Sequence, residues 1–174
     1  MLNKSKKMYK LFLCLMAIVI LSSSCLKNDK GCSFQTSTIT APQAEQDSLK
    51  AILDSSDITA TKDPSGFYYE ILSPGTGDAP PVLCSYITVS YAGTLRNGTQ
   101  FDKNTSVQFQ LGMVIDGWKL GIPLVKKGGH IKLYVPPSLG YRNQDVKDNN
   151  GNIVIPKNSI LFFDVTLEDY TAGN

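Results

Sequence analysis

The sharpest alternation in the chain runs through Ile87, Val89 and Tyr91, with Thr88 and Ser90 between them. Successive strand side chains point to opposite faces, so the pattern predicts a half-buried strand continuing to about Leu95. Arg96-Asn97-Gly98-Thr99 then supplies an Asn-Gly hairpin turn. The chain returns through Gln100-Phe101-Asp102, and alternation resumes at Val107, Phe109 and Leu111. Ile131, Leu133 and Val135 predict a further strand, stopped by Pro136-Pro137. Ser159–Tyr170 predicts the last one, with Leu161, Phe163, Val165 and Leu167 on a single face. Before all of these, Phe67–Leu72 reads as a strand from its aromatic and β-branched content, between turn clusters at Asp63–Gly66 and Ser73–Gly77.

Helical spacing is scarcer. Leu49, Ile52 and Leu53 give residues 41–54 an apolar stripe that predicts a short amphipathic helix. Asp116–Val125 is helical in pattern but interrupted by Pro123. Asn143–Asn152 is a polar stretch and predicts a mobile loop. Strands joined by hairpins, with one short helix among them, imply an α+β fold. The expected form is an antiparallel five- to six-stranded sheet wrapped around that helix.

Charge changes the picture at the N-terminus. The 174 residues carry 17 Lys+Arg against 15 Asp+Glu, a formal net of +2. Four of the basic residues, Lys4, Lys6, Lys7 and Lys10, lie in the first ten positions, and no acid precedes Asp29. Without residues 1–24 the balance is 13 basic to 15 acidic, a net of −2. No concentrated basic face is left, so nucleic acid is not an expected partner. Behind the lysines, Leu11–Leu21 are consecutive apolar residues, followed by Ser22-Ser23-Ser24-Cys25. This is the order of a secretory signal. At 1.5 Å per residue the apolar run spans roughly 16 Å, about half of a bilayer core.

Cys25 after three small residues resembles a bacterial lipobox, which implies lipidation of Cys25 and a membrane-anchored lipoprotein facing the periplasm or the cell surface. Ordinary signal cleavage, with Cys25 a bystander, is the alternative. The expected organisation is a signal at 1–24, a tether with a short N-terminal helix at 25–62 and one domain at 63–174. The segment 36–62 is read as a spacer, with a docking or dimerising helix as the other reading. Cys32 and Cys84 remain in an exported, disulfide-permissive context, either bridged or as two separate thiols. No paired-His, Cys-x-x-Cys or Cys/His cluster suggests a metal, and no cofactor motif is present. The single His130, at a strand start, reads as a surface or turn residue.

Several motifs occur in unbroken order from about Phe67 to Tyr170. They are Val89-Ser90-Tyr91-Ala92-Gly93-Thr94-Leu95, Asn97-Gly98, Phe101-Asp102, Phe109-Gln110-Leu111-Gly112 and Val114-Ile115-Asp116-Gly117-Trp118. Gly128-Gly129, Val135-Pro136, Gly140-Tyr141, Val154-Ile155-Pro156 and Phe162-Phe163-Asp164-Val165 follow. Together they resemble the FKBP-type peptidyl-prolyl cis–trans isomerases. The resemblance implies Trp118 as the floor of a proline pocket, walls from Tyr91, Phe101, Phe109 and Phe163, and Val114 and Ile115 along the rim with Ile155. It implies hydrogen bonds to ligand carbonyls from the Ile115 N–H and the Tyr141 hydroxyl, and Asp102 at the mouth. Proline-containing polypeptides are the implied substrates, with macrolides as further ligands. A non-catalytic, membrane-tethered module or chaperone that grips proline segments is the alternative function. Several features depart from the family pattern, among them a loop between Tyr141 and Val154 longer than in the smallest members. Arg142 stands where Gly usually follows the pocket tyrosine, and Val107 where an aromatic is frequent. Lys103-Asn104-Thr105-Ser106 is short and offers only Lys103 as a basic partner for Asp102.

Overall fold

The computed structural model describes residues 32–77 and 79–171. Helix α1 is Gln43–Ser55. The strands are β1 (Thr61–Lys62), β2 (Tyr68–Ser73), β3 (Tyr86–Leu95), β4 (Gln100–Gln110), β5 (Gly129–Val135), β6 (Val146–Lys147), β7 (Ile153–Ile155) and β8 (Leu161–Thr171). Helix α2 is Asp116–Gly121, continued by a 3-10 turn at Ile122–Leu124. Pro123 sits inside that turn, where the missing N–H costs little, so the helix tightens and stops instead of kinking.

Six strands form one antiparallel sheet in the order β1-β2-β5-β8-β3-β4. The alternations read from sequence are the inward face. Ile87, Val89 and Tyr91 on β3, Ile131, Leu133 and Val135 on β5, and Leu161, Phe163, Val165 and Leu167 on β8 are all buried in one cluster with Trp118 of α2. The opposite face is not bare. Leu49 and Leu53 of α1 bury against Tyr68, Tyr134 and Ile160. Each fully buried leucine is worth roughly 1.5–3 kcal/mol of transfer free energy, so α1 is fixed to the back of the sheet by its own apolar stripe. Gln46, the one polar residue buried on α1, is satisfied by donating to the Ala41 carbonyl at 2.6 Å.

This differs from the spacer reading of 36–62. From Cys32 onward the described chain is packed on the sheet: β1 extends it beside β2, Ala41 is buried, and Cys32 is disulfide-bonded to Cys84. The apolar residues that suggested a helix needed a surface to cover, and the sheet supplies one in the same chain. The signal, Cys25 and its lipidation lie outside the described residues. Among the described residues, no helix is long and apolar enough to cross a membrane.

The polar loop at 143–152 carries more order than its composition suggests. β6 and β7 form a small hairpin, and Asp148 accepts hydrogen bonds from the Asn150 N–H, the Asn152 N–H and the Asn152 side-chain amide. Asx chemistry of this kind closes a turn without apolar burial, which is why hydrophobic periodicity missed it.

Candidate functional site

The inward curl of the sheet is filled at one end by α2. Trp118 N–H and Lys119 N–H both donate to the Ile115 carbonyl, which starts the helix. Asp116 lies in the first turn, favourable against the helix dipole, and is held by Arg142 Nη2 at 3.0 Å and Lys119 Nζ at 3.4 Å. Gly117 and Gly121 face β5. A Cβ on Gly117 would meet Val135 at 2.7 Å, and one on Gly121 would meet Leu133 at 2.5 Å. The missing side chains let the helix axis approach the sheet closely and aim Trp118 into the curl.

Trp118 is 4% exposed. Its indole meets three rings edge to face: Tyr91 at 5.1 Å, Phe163 at 5.4 Å and Phe109 at 6.0 Å between centroids. Phe101 stands perpendicular to Phe163 at 5.7 Å and lies over Gly93, where a Cβ would come within 2.6 Å of its ring. These are favourable aromatic geometries, and they fix one another. Above the indole lies a cavity of about 300 Å³, lined by Tyr91, Phe101, Asp102, Phe109, Met113, Val114, Ile115, Trp118, Tyr141 and Phe163.

Nine of the ten expected pocket residues therefore come together. Ile155 does not. It is 3% exposed and packed in the core cluster at the end of β7, outside the cavity lining. Met113 lines the cavity and was not singled out in the sequence. Its place directly before Val114 in the Gly112–Ile115 motif was the available signal.

Polar groups are few and specific. Asp102 is the one charged residue lining the cavity. The Tyr91 hydroxyl donates to Asp102 Oδ2, and the Asn104 amide donates to Tyr91 Oη and to Asp102 Oδ1, each at 3.2 Å. Burial, reinforced by the bond to Asp102, pushes the Tyr91 hydroxyl up to about 12. Burial and the Asp102 charge also raise Tyr141. Both tyrosines thus stay protonated donors through neutral pH. Among the described residues the Ile115 N–H has no acceptor. The same holds for the buried Trp118 Nε1–H.

Tyr141 is placed by the turn Pro136–Arg142, closed by Gly140 N–H and Arg142 N–H donating to the Pro137 carbonyl. Arg142 has φ of 59°, the left-handed region that favours glycine. This chain keeps the backbone shape with Arg142 and gains the bond to Asp116 at the foot of α2.

A pH prediction follows for Tyr91. Its folded value lies above its unfolded one, so the folded state holds the proton more tightly between about pH 10 and 12, and stability contributed by the protonated hydroxyl falls as pH rises through that window. Denaturant unfolding of wild type and Tyr91→Phe from pH 7 to 12 should show the wild-type excess constant below pH 10 and shrinking above it. An excess that grows above pH 10 is the contrary result.

The antiparallel sheet thus curls over a single indole, and the cavity above it is aromatic with Asp102 as its one charged lining residue. A model of the FKBP-type peptidyl-prolyl cis-trans isomerase family matches residues 77–168, and the chain belongs to that family. It is 41% identical over 113 residues to the FKBP-type peptidyl-prolyl cis-trans isomerase FkpA of Buchnera aphidicola subsp. Schizaphis graminum, covering 63% of this chain and 42% of that one. It is 39% identical over 109 residues to FkpA of Escherichia coli K12, covering 60% and 38%. The chain thus spans less than half the length of these curated relatives. The crystal structure of Escherichia coli FkpA superposes with a TM-score of 0.63 at 32% identity over 76% of this chain and 62% of that one. AtFKBP13 superposes at 0.58 with 30% identity, covering 65% of this chain and 99% of that one.

Proposed function

We propose that this chain is a peptidyl-prolyl cis–trans isomerase that assists the folding of exported proteins. The observation that carries the reading is the cavity of about 300 Å³ over Trp118, walled by Tyr91, Phe101, Phe109 and Phe163, with Asp102 its single charged lining residue. Rotating a prolyl amide makes and breaks no bond. Its barrier is the loss of amide resonance, ~18–20 kcal/mol, and the uncatalysed step takes on the order of tens to hundreds of seconds. A catalyst must hold the twisted amide better than either planar form. The twisted amide is less delocalised and less polar, so a water-poor aromatic pocket favours it. In this mechanism the proline ring sits on the Trp118 face. The Ile115 N–H and Tyr141 hydroxyl donate to carbonyls of the segment, and Asp102 stands at the mouth, near the carbonyl of the residue before proline. Macrolides are the expected competing ligands.

The disulfide between Cys32 and Cys84 fits an oxidising compartment outside the cytosol. With the leader-like first 24 residues and the lipobox-like Ser22–Cys25, it supports export and lipid attachment at Cys25. Mass spectrometry of the mature N-terminus checks the lipid. The activity is tested by following cis-to-trans conversion of an X-Pro peptide: acceleration above the uncatalysed rate is expected, with a macrolide abolishing it. Binding to the pocket without any acceleration would instead favour a proline-segment binding module.

A further inference from the structure

The resemblance implies a cation near Asp102, and the structure places none there. The ion pairs of the described residues are Lys50–Asp54, Asp116 with Lys119 and Arg142, Lys127–Asp169 and His130–Asp164. Asp102 is in none of them. Lys103 is opposite Ala92 on β3 and does not line the aromatic cavity; it lines a separate hollow with Ala92, Asn104, Asp164 and Thr166.

Asn104 takes the vacant role because β4 is bulged. Val89 pairs with Val107, but Tyr91 pairs with Asn104, so two steps along β3 match three along β4. The extra residue is accommodated at Ser106, whose φ is 51°. A serine in that conformation needs support, and three hydrogen bonds give it. The Ser106 N–H donates to Ser90 Oγ at 3.1 Å, and the Ser90 and Ser106 hydroxyls both donate to the Glu168 carboxylate on β8. Those two hydroxyls also lower the Glu168 pKa, so the clamp stays charged. A one-residue shift of register exchanges the faces of a strand. The bulge is therefore what sets Asn104 opposite Tyr91, with its amide on both the Tyr91 oxygen and Asp102 Oδ1.

We infer that Asn104 is the positioning and specificity-determining residue of this pocket: it holds Tyr91 and Asp102 in place without neutralising the carboxylate, so the site favours X-Pro segments that carry Lys or Arg beside the proline. The inference rests on the proline-segment reading of the cavity. Its physical basis is direct. Both Asp102 oxygens are occupied by neutral donors, one from Tyr91 and one from Asn104, and neither donor cancels the charge. A cation about 6 Å away at the wet mouth gains about 0.7 kcal/mol, and an anion loses as much. The difference is about tenfold in affinity between oppositely charged segments.

Trp118 is the chain's single tryptophan, so its fluorescence reports on the pocket without depending on turnover. Short peptides with Lys-Pro, Leu-Pro and Glu-Pro are titrated against the protein at low and high salt, with isomerisation rates measured in parallel. Wild type should bind Lys-Pro about tenfold more tightly than Glu-Pro at low salt, the ratio falling toward one in molar salt. Asn104→Lys should bring the low-salt ratio near one. Asn104→Ala should weaken all three peptides severalfold and keep the ratio, separating positioning from charge. An equal ratio in wild type and Asn104→Lys overturns the inference, as does a wild type with no charge preference or no peptide response. The wild-type salt dependence stands as a test even if a variant fails to fold. Turnover without charge preference would sink this inference and leave the isomerase reading intact; charge-dependent binding without turnover would do the reverse.

Discussion

Trp118→Leu is expected to lower kcat/KM for an X-Pro peptide by on the order of tenfold to thirtyfold while the domain stays folded. The indole is the surface on which three other rings rest edge to face, Tyr91, Phe109 and Phe163, with centroids at 5.1, 6.0 and 5.4 Å. Each such pair contributes ~0.5–1.5 kcal/mol beyond its buried area. Leucine fills part of the volume but offers no flat face to a proline ring and lets the walls lean inward. A loss of about 1.5–2 kcal/mol of transition-state contact corresponds to the stated fall. Stability should suffer less than the loss of so large a ring usually costs. The Trp118 Nε1–H is buried without an acceptor among the described residues, and the substitution removes that unsatisfied donor. We expect a stability loss of ~1–3 kcal/mol by urea unfolding. Isomerase kinetics on the same preparation check the larger effect; a rate within twofold of wild type would show that the proline does not rest on this ring.

The second large effect is on stability and comes from the N-terminal segment. Cys32 and Cys84 are bonded across a sequence separation of 52 residues. A loop of that length loses enough chain entropy in the unfolded state to stabilise the fold by about 4 kcal/mol in the chain-entropy account. The joint replacement Cys32→Ser with Cys84→Ser should therefore lower Tm by about 10 °C, given ~2–4 °C per kcal/mol for a domain of this size. The consequence is also local. Phe34 lies against Gly112, where a Cβ would come within 2.2 Å of its ring, and Gly112 directly precedes the rim residues Met113 and Val114. Scanning calorimetry of the double variant, and of wild type under reductant, checks the prediction. A Tm within 2 °C of wild type in both would show that the segment is held by its other contacts alone.

The two predictions differ in how they could have been reached. The inward faces around Trp118 were legible in the chain because strand alternation is a local property. Ile87, Val89 and Tyr91, and likewise Leu161, Phe163 and Val165, declare their inward face two residues at a time, and the FKBP-like motifs at Phe101-Asp102 and Val114–Trp118 mark where the cavity opens. The bond between Cys32 and Cys84 was not legible. Two cysteines in an exported chain can pair or not, and only the tertiary structure, with Phe34 against Gly112 and the Gly112 N–H donating to the Leu83 carbonyl next to Cys84, brings them together.

Similar reasons account for the remaining differences. Leu49 and Leu53 announce a helix with an apolar stripe, but nothing in their spacing names the surface they cover; that surface is Tyr68, Tyr134 and Ile160 on the back of the sheet. Ile155 sits in a pocket-like motif, yet it packs in the core cluster at the end of β7. Asn104 is the clearest case. Its neighbour Lys103 has the charge expected of a partner for Asp102, and a regular strand gives no ground for preferring the amide. The bulge at Ser106, held by Ser90 and by Glu168 from a strand 62 residues away, decides which of the two meets Tyr91 and Asp102. The sequence by itself thus determined the strands and their inward faces, because burial repeats with the period of the backbone, while the aromatic pocket was implied only by the resemblance of its motifs. The tertiary structure alone decided the register of β4, the disulfide and the docking of α1, because each depends on a partner far away in the chain and on no local period.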